Sequence, residues 1–417
     1  MAVGFMAVAG SGADIEIRKA GMNDINELPV IDFNSAAYRT APFATLAKIA
    51  QESKLARSSR GVEIMDYELC RSAIVDRRLG TGHPKLMHLL GLPESPALDY
   101  KRQSITFFNR GEKRRQLRQP LTKLMGPEGS ERFRNDIRHI VHQIIDDIPT
   151  NTTVDLISAL CDPTPSAVYC YWVGATSEDA AFVARTSHTV QQVHNRDPSK
   201  TDEIVEAFAD LLTYVDERIA ARRKNLGDDL ISDLIRATDA GALTEDDLRN
   251  WVVKLAEANT DNSSHQIGIA VIELASRPDV WRRIGNNPTL VPAAIAEVMR
   301  YHPRSISTSR EALVDYELDG IHIPKGTPVF ANIGAAHWHP TYYPHPERFD
   351  MARKDPPSHL NFGGGIFSCI GRFAVTIEVE EVIAYLARKF PNLELNASRF
   401  SHSPMFTSVA ELTATLR

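Results

Sequence analysis

From about residue 105 to about residue 300 the apolar positions recur at the three-to-four spacing of amphipathic helices, so long helices are predicted there. A further helix is predicted near the C-terminus. Ile370, Phe373, Ala374 and Ile377 are followed at helical spacing by Val379, Val382, Ile383, Leu386 and Phe390, and Pro391 ends the run. Short β-like runs lie near 60–75 and 313–333. Within the second, Asp319-Gly320 and Lys325-Gly326 are turn signals, so Leu318 to Phe330 is expected to be hairpin-like. The pattern predicts one mainly α domain with a small β portion over 26–417, after a flexible N-terminal tail over 1–25.

One segment departs from the amphipathic pattern. Thr244-Glu245-Asp246-Asp247 reads as a capped helix start, and helical spacing continues to about Ser276, ahead of Pro278. Its middle holds Asn259, Thr260, Asp261, Asn262, Ser263 and Ser264 in a row. Six such residues cost a helix about 3 kcal/mol relative to alanine. Either a polar loop separates two helices, or one helix gives up regularity at its centre to line a chamber. In a helix, Ala258, Asp261, Asn262 and His265 would share a face.

Composition narrows the class. The chain has 417 residues, 43% of them apolar, enough for a large core. A net charge of −6 leaves no global footprint for nucleic acid. Cys70, Cys161, Cys170 and Cys369 are too few and too scattered for a disulfide framework, and no Cys-x-x-Cys pair points to structural zinc. This usage fits a reducing cytoplasm. No run reaches the 18 or so apolar residues of a membrane span. Residues 1–10 are apolar but lack the basic start of a signal peptide.

The most informative stretch is Phe362-Gly363-Gly364-Gly365-Ile366-Phe367-Ser368-Cys369-Ile370-Gly371. It presents one cysteine at or just before a helix N-terminus, where the helix dipole and free N–H groups favour a thiolate. Glycines on both sides allow the backbone to pass close to a flat, bulky group. The plainer alternative is a buried structural cysteine beside a loop.

This stretch resembles the heme-binding loop of the cytochrome P-450 family, Phe-Gly-x-Gly-x-(His/Arg)-x-Cys-x-Gly. Phe362, Gly363, Gly365, Cys369 and Gly371 match, and Phe367 stands where the family has a basic residue. Three more segments follow the family's order. Arg114 and Arg118 match its His-x-x-x-Arg helix with Arg114 for the His, although a solvated basic face reads the same way. Glu297-x-x-Arg300 matches its Glu-x-x-Arg helix, with Arg348 of Pro346-Glu347-Arg348-Phe349 as the expected third partner. Residues 258–262 match its Ala-Gly-x-(Asp/Glu)-Thr segment, but Asn259 replaces the glycine and Asn262 the threonine.

The resemblance implies the cytochrome P-450 fold, with heme b (iron protoporphyrin IX) between the long central helix and the cysteine loop. Cys369 would be the thiolate ligand of the iron, and Arg114, Arg118 and Arg310 would clamp the propionates. Ala258, Asp261 and Asn262 would face the oxygen side. The implied reaction is C–H oxidation with O2 and two electrons from a separate ferredoxin and ferredoxin reductase. An amide does not release a proton as a hydroxyl does, so the usual proton relay is altered at Asn262. Peroxide-driven turnover, desaturation or rearrangement, and a non-catalytic heme sensor or carrier, stay open as alternatives.

By the same analogy the substrate pocket draws on residues 77–105, the helices near 185–196, Ser305 to Ser309, and Met405-Phe406. Ser305, Ser307, Thr308, Ser309, His188, Gln191, Gln192 and His194 are polar, which leans toward a substrate with an oxygen function on an apolar skeleton. Lys113, Arg115, Lys123 and Arg372 are expected to form a basic patch on the cysteine side that steers an acidic electron donor. His337, His339 and His345 are read as a proline-rich surface meander rather than a metal site.

Overall fold

The computed structural model describes residues 24–81, 92–105, 111–195 and 197–417. Most of the expected tail, residues 82–91 of the expected pocket and the side chain of His194 lie outside them.

The central element is one continuous helix, Glu245–Ala275. Thr244 caps it with a reciprocal box: its hydroxyl accepts from the Asp247 N–H, and the Asp247 carboxylate accepts from the Thr244 N–H. The polar centre is therefore helical, and no loop interrupts it. Its poor helix formers are held by side-chain bonds. Thr260 Oγ1 donates to the Ala256 carbonyl at 2.8 Å, Ser264 Oγ to Asp162 at 2.5 Å, and Asn259 Nδ2 to the Pro165 carbonyl at 3.3 Å. These contacts recover what intrinsic propensity gives up. The second half, from Ile267 to Ala275, is buried all round, so this helix threads the core rather than lying on it.

The helix Arg372–Lys389 packs against this central helix and begins three residues after Cys369. The helix Glu112–Leu124 is pinned beside it by Trp251, whose Nε1 donates to the Leu117 carbonyl at 3.0 Å.

The β portion is larger than the sequence pattern indicated. A five-stranded sheet runs in the order Leu55–Ser58, Gly61–Ile64, Pro328–Asn332, Ser307–Ala312, Leu79–Gly80. Tyr316–Leu318 and Ile321–Ile323 form the expected hairpin, with Asp319 and Gly320 at φ 51° and 83° in its turn. The residues after Lys325-Gly326 join the larger sheet instead. Residues 67–75, expected as strand, are helical: Asp66 caps them, accepting from the Leu69 N–H at 2.9 Å. A third sheet, Thr153–Asp155, Thr407–Thr415 and Glu394–His402, was not anticipated. The turn joining its last two strands brings Phe406 beside Ser305.

The Glu297–Arg300 pair is buried, as the resemblance implied, but its third partner differs. Glu297 accepts from Arg300 Nη2 at 2.7 Å, Arg353 Nε at 3.2 Å and the Asp350 N–H at 2.8 Å. The Arg348 side chain is 72% exposed and points outward. The chain turns at His345 (φ 51°) and returns five residues after Arg348, so only the Arg348 carbonyl reaches the network, accepting from Arg300 and Arg353. His337 is also not on a surface meander: it is fully buried, and its Nε2 accepts from the Leu360 N–H at 2.8 Å.

Candidate active site

Two left-handed glycines shape the cysteine loop, Gly363 at φ 63° and Gly365 at φ 57°. The Cys369 N–H donates to the Phe362 carbonyl at 2.8 Å and closes the loop on itself. The thiol then stands at the start of the helix Arg372–Lys389. Cys369 is exposed and is among the residues that line a cavity of about 370 Å³. Burial among protein atoms pushes its thiol up. The N–H groups of Gly371 and Arg372 and the charges of Arg118 and Arg372 pull the other way. These are the groups that would stabilise a thiolate once a cation bonds to the sulfur.

The cavity lies between the cysteine loop and the central helix. Phe362, Cys369 and Gly371 line one side, and Ala258 and Asn262 line the other. Arg118 lines it as well and donates from Nη2 to Ser368 Oγ at 3.2 Å. Of the four residues expected on one face of the central helix, only Ala258 and Asn262 are among the lining residues. Asp261 turns away toward Arg304 (2.7 Å), His188 (3.2 Å) and His265 (3.6 Å). Burial alone would push its carboxyl up, but the His188 hydrogen bond and the Arg304 charge outweigh it and hold the carboxyl at about 2. His265, also buried and close to the Arg304 charge, is pushed down to about 4.

Phe367 stands where a basic residue was expected, and its ring is flanked by two guanidiniums. The Arg114 carbon lies 4.6 Å and the Arg310 carbon 4.8 Å from the ring centroid. Both arginines are buried. Arg114 donates to the carbonyls of Ile366 (3.1 Å) and Ile105 (2.8 Å). Arg310 donates to Thr308 Oγ1 and to the Ser309 and Ile74 carbonyls, while its Nε has no partner among the described residues. Burial alone lowers Arg310 to about 10. Among the described residues, neither Arg118 nor Arg310 forms an ion pair with a carboxylate. Buried cations left in this state are costly unless an anion completes them.

The expected basic patch is smaller than the sequence implied. Lys113 is bound to Asp247 at 2.6 Å and Arg115 to Glu112 at 2.5 Å, which leaves Lys123 and Arg372 of the four.

Three features escaped the sequence reading. Glu378 is fully buried on the helix that follows Cys369 and faces Asn259 and Ser263. Among the described residues neither of its oxygens has a hydrogen bond of good geometry, and burial pushes its carboxyl up to about 8 despite those two neighbours. Arg304 lines the cavity and holds Asp261. Glu257 is fully buried and ties the central helix to Tyr100 and Lys101. Only the setting of Glu378, between Ile377 and Val379 and one turn from Val382, could have marked any of them in advance.

Comparison with known proteins agrees with this arrangement. The family model for Cytochrome P450 matches residues 88–404. Luteothin monooxygenase of Streptomyces thioluteus is 29% identical over 366 residues, covering 87% of this chain and 89% of that protein. The 6-deoxyerythronolide B hydroxylase of Saccharopolyspora erythraea is 28% identical, covering 85% of this chain and 87% of its own. Among solved structures, CalO2 superimposes with a TM-score of 0.85 at 22% identity, covering 94% of this chain and 99% of its own. P450BioI, solved with an acyl carrier protein carrying hexadec-9Z-enoic acid, superimposes with a TM-score of 0.82 at 24% identity, over 91% of this chain and 99% of its own. No helix among the described residues is long and apolar enough to cross a membrane. The loop, the central helix, the buried Glu297–Arg300 pair and these matches together make the chain a member of the cytochrome P450 family and a P450 monooxygenase.

Proposed function

We propose that this monooxygenase oxidises C–H bonds of a small or medium apolar substrate carrying an oxygen function, terpenoid- or fatty-acid-like, in secondary metabolism. It would use O2 and two electrons from a ferredoxin and its reductase, in the cytoplasm. The observation that carries this reading is the Cys369 thiol, facing the cavity from a helix N-terminus opposite Ala258 and Asn262.

The residues fit heme b. Cys369 would be the metal ligand, and its N–H neighbours favour the thiolate form. The buried Arg310 with its unpartnered Nε, together with Arg114 and Arg118, suits two propionates. Phe362, Gly363, Gly365 and Gly371 keep the loop thin beside a planar group, and Phe367 takes over by stacking the ordering of arginines that a basic residue would otherwise share. The bound cofactor supplies the oxygen chemistry. Ala258 leaves room on the opposite side, and Asn262 offers an amide there. Asp261, held ionised by Arg304 and His188, positions charge behind Asn262 and lies one helical step from it.

The amide at position 262 also supports a second reading, peroxide-driven or otherwise atypical oxidation, because it cannot pass on a proton as a hydroxyl can. The first test is the reduced, carbon-monoxide-bound spectrum of the heme-loaded protein beside Cys369→Ala. A thiolate-type Soret band, lost in the variant, is expected. A histidine-type band in the folded parent would overturn the assignment. Turnover supported by peroxide but not by reduced ferredoxin would favour the second reading.

A further inference from the structure

The side chains lining the cavity include three cations, Arg118, Lys254 and Arg304, and no carboxylate among the described residues. Their charges are not equally committed. Arg118 lies beside the cysteine loop, bound to Ser368, where the proposed function uses it for the cofactor. Arg304 is engaged through both terminal nitrogens, and only its Nε has no partner among the described residues. Nη2 pairs with Asp261 at 2.7 Å, and Nη1 donates to the Thr407 carbonyl at 2.7 Å and Ser408 Oγ at 3.0 Å.

Lys254 differs. Among the described residues its only anionic neighbour is Glu257, at 3.2 Å. That carboxylate already has a closer ion-pair partner in Lys101 and accepts from the Tyr100 hydroxyl at 2.7 Å. Lys101 is sealed, with 4% of its side chain exposed, whereas Lys254 keeps 22% and is the one that lines the cavity. Two ammonium groups thus share one carboxylate, which leaves one positive charge in excess beside the cavity. Lys254 stands one helical turn before Ala258, on the same side of the central helix.

We infer that Lys254 is the specificity-determining residue for an anionic substrate, binding a carboxylate where Lys254, Trp251 and Leu255 line the cavity. This rests on the proposed function and names the oxygen function of its substrate. An ammonium that is partly desolvated, and whose nearest carboxylate is already satisfied, gains a strong charge-assisted bond from a second carboxylate. The neutral ester of the same acid offers only a carbonyl oxygen and forms no ion pair.

The test uses heme-loaded enzyme and three acids with their methyl esters: dodecanoic acid, abietic acid and 4-phenylbutyric acid. Binding is followed by the Soret shift and by calorimetry. The best-bound acid is expected to bind at least about tenfold tighter than its ester, in line with one charge-assisted bond. Lys254→Met should bring that ratio close to one, and Lys254→Arg should keep it. Equal binding of acid and ester in the parent, or no binding of any acid, overturns the inference. So does loss of heme from Lys254→Met with an unchanged ratio, which would assign Lys254 to the propionates. The carbon-monoxide spectrum of the same preparation separates the two levels. A thiolate-type band with no acid preference sinks only the carboxylate site, whereas a histidine-type band sinks the functional reading beneath it.

Discussion

The side-chain amide of Asn262 donates to the carbonyl of Ala258, one turn earlier on the central helix, at 3.0 Å. Only the nitrogen can donate to a carbonyl, so this bond fixes the amide orientation and directs the oxygen away from the backbone. At the cavity wall the helix therefore presents the amide oxygen and the second N–H, which accept and donate at separate atoms, where a hydroxyl does both at one atom and can pass a proton on.

Asn262→Thr restores that dual capacity at the same position. Product formed per reduced nicotinamide consumed is expected to rise at least about twofold, a small part of what a positioned proton donor can contribute. An unchanged ratio would mean that protons arrive by a route independent of position 262.

Phe367 is expected to order the arginines on both sides of it. Phe367→Ala removes two cation–π contacts worth about 0.5–2 kcal/mol each. The variant should lose about 1–3 kcal/mol in denaturant unfolding and transfer its heme to apomyoglobin faster than the parent. Phe367→Leu, which keeps bulk but not the ring face, should resemble the alanine variant in heme transfer.

How much of this was legible in the chain depended on whether a residue's partner is local. The cysteine loop was readable because every group that defines it lies within ten residues, and the helix after it followed from spacing alone. The central helix was legible in extent but not in continuity, since its polar centre is held by Asp162 and Pro165, far away in sequence. Arg348 and Arg353 are both plausible partners for Glu297 on paper. The choice is made by the reversal at His345, a positive-φ histidine that no pattern announces. The face of Asp261 was mistaken because a helical wheel gives an angle but not the neighbours, and Arg304 and His188 draw that side chain away from the cavity.

That choice of partner has a measurable signature. Glu297→Ala leaves buried Arg300 uncompensated and should cost about 3–5 kcal/mol. Arg353→Ala should destabilise in the same direction by a smaller amount. Arg348→Ala keeps the carbonyl that the network uses and should stay within about 0.5 kcal/mol of the parent. Urea denaturation of the three variants decides the order.

Glu378 makes stability fall with pH. Its carboxyl titrates near 8 in the folded protein and near the ordinary glutamate value when unfolded. The folded state therefore keeps its proton to higher pH than the unfolded chain does. The contribution is fully present below the unfolded value and is lost as pH rises to about 8. Glu378→Gln, which cannot ionise, should gain on the parent by a few kcal/mol between pH 5 and pH 9, an order-of-magnitude figure. Parallel stability curves for the two proteins over that interval would show that Glu378 ionises freely.

The bond from the Cys369 N–H to the Phe362 carbonyl carries a consequence for how the loop tolerates change. It closes the loop through backbone alone, and the two left-handed glycines set its curvature. A side chain added at Gly363 or Gly365 would therefore strain the backbone that aims the sulfur while leaving the thiol's own chemistry untouched. The placement of the one reactive atom thus depends on residues that carry no chemistry of their own.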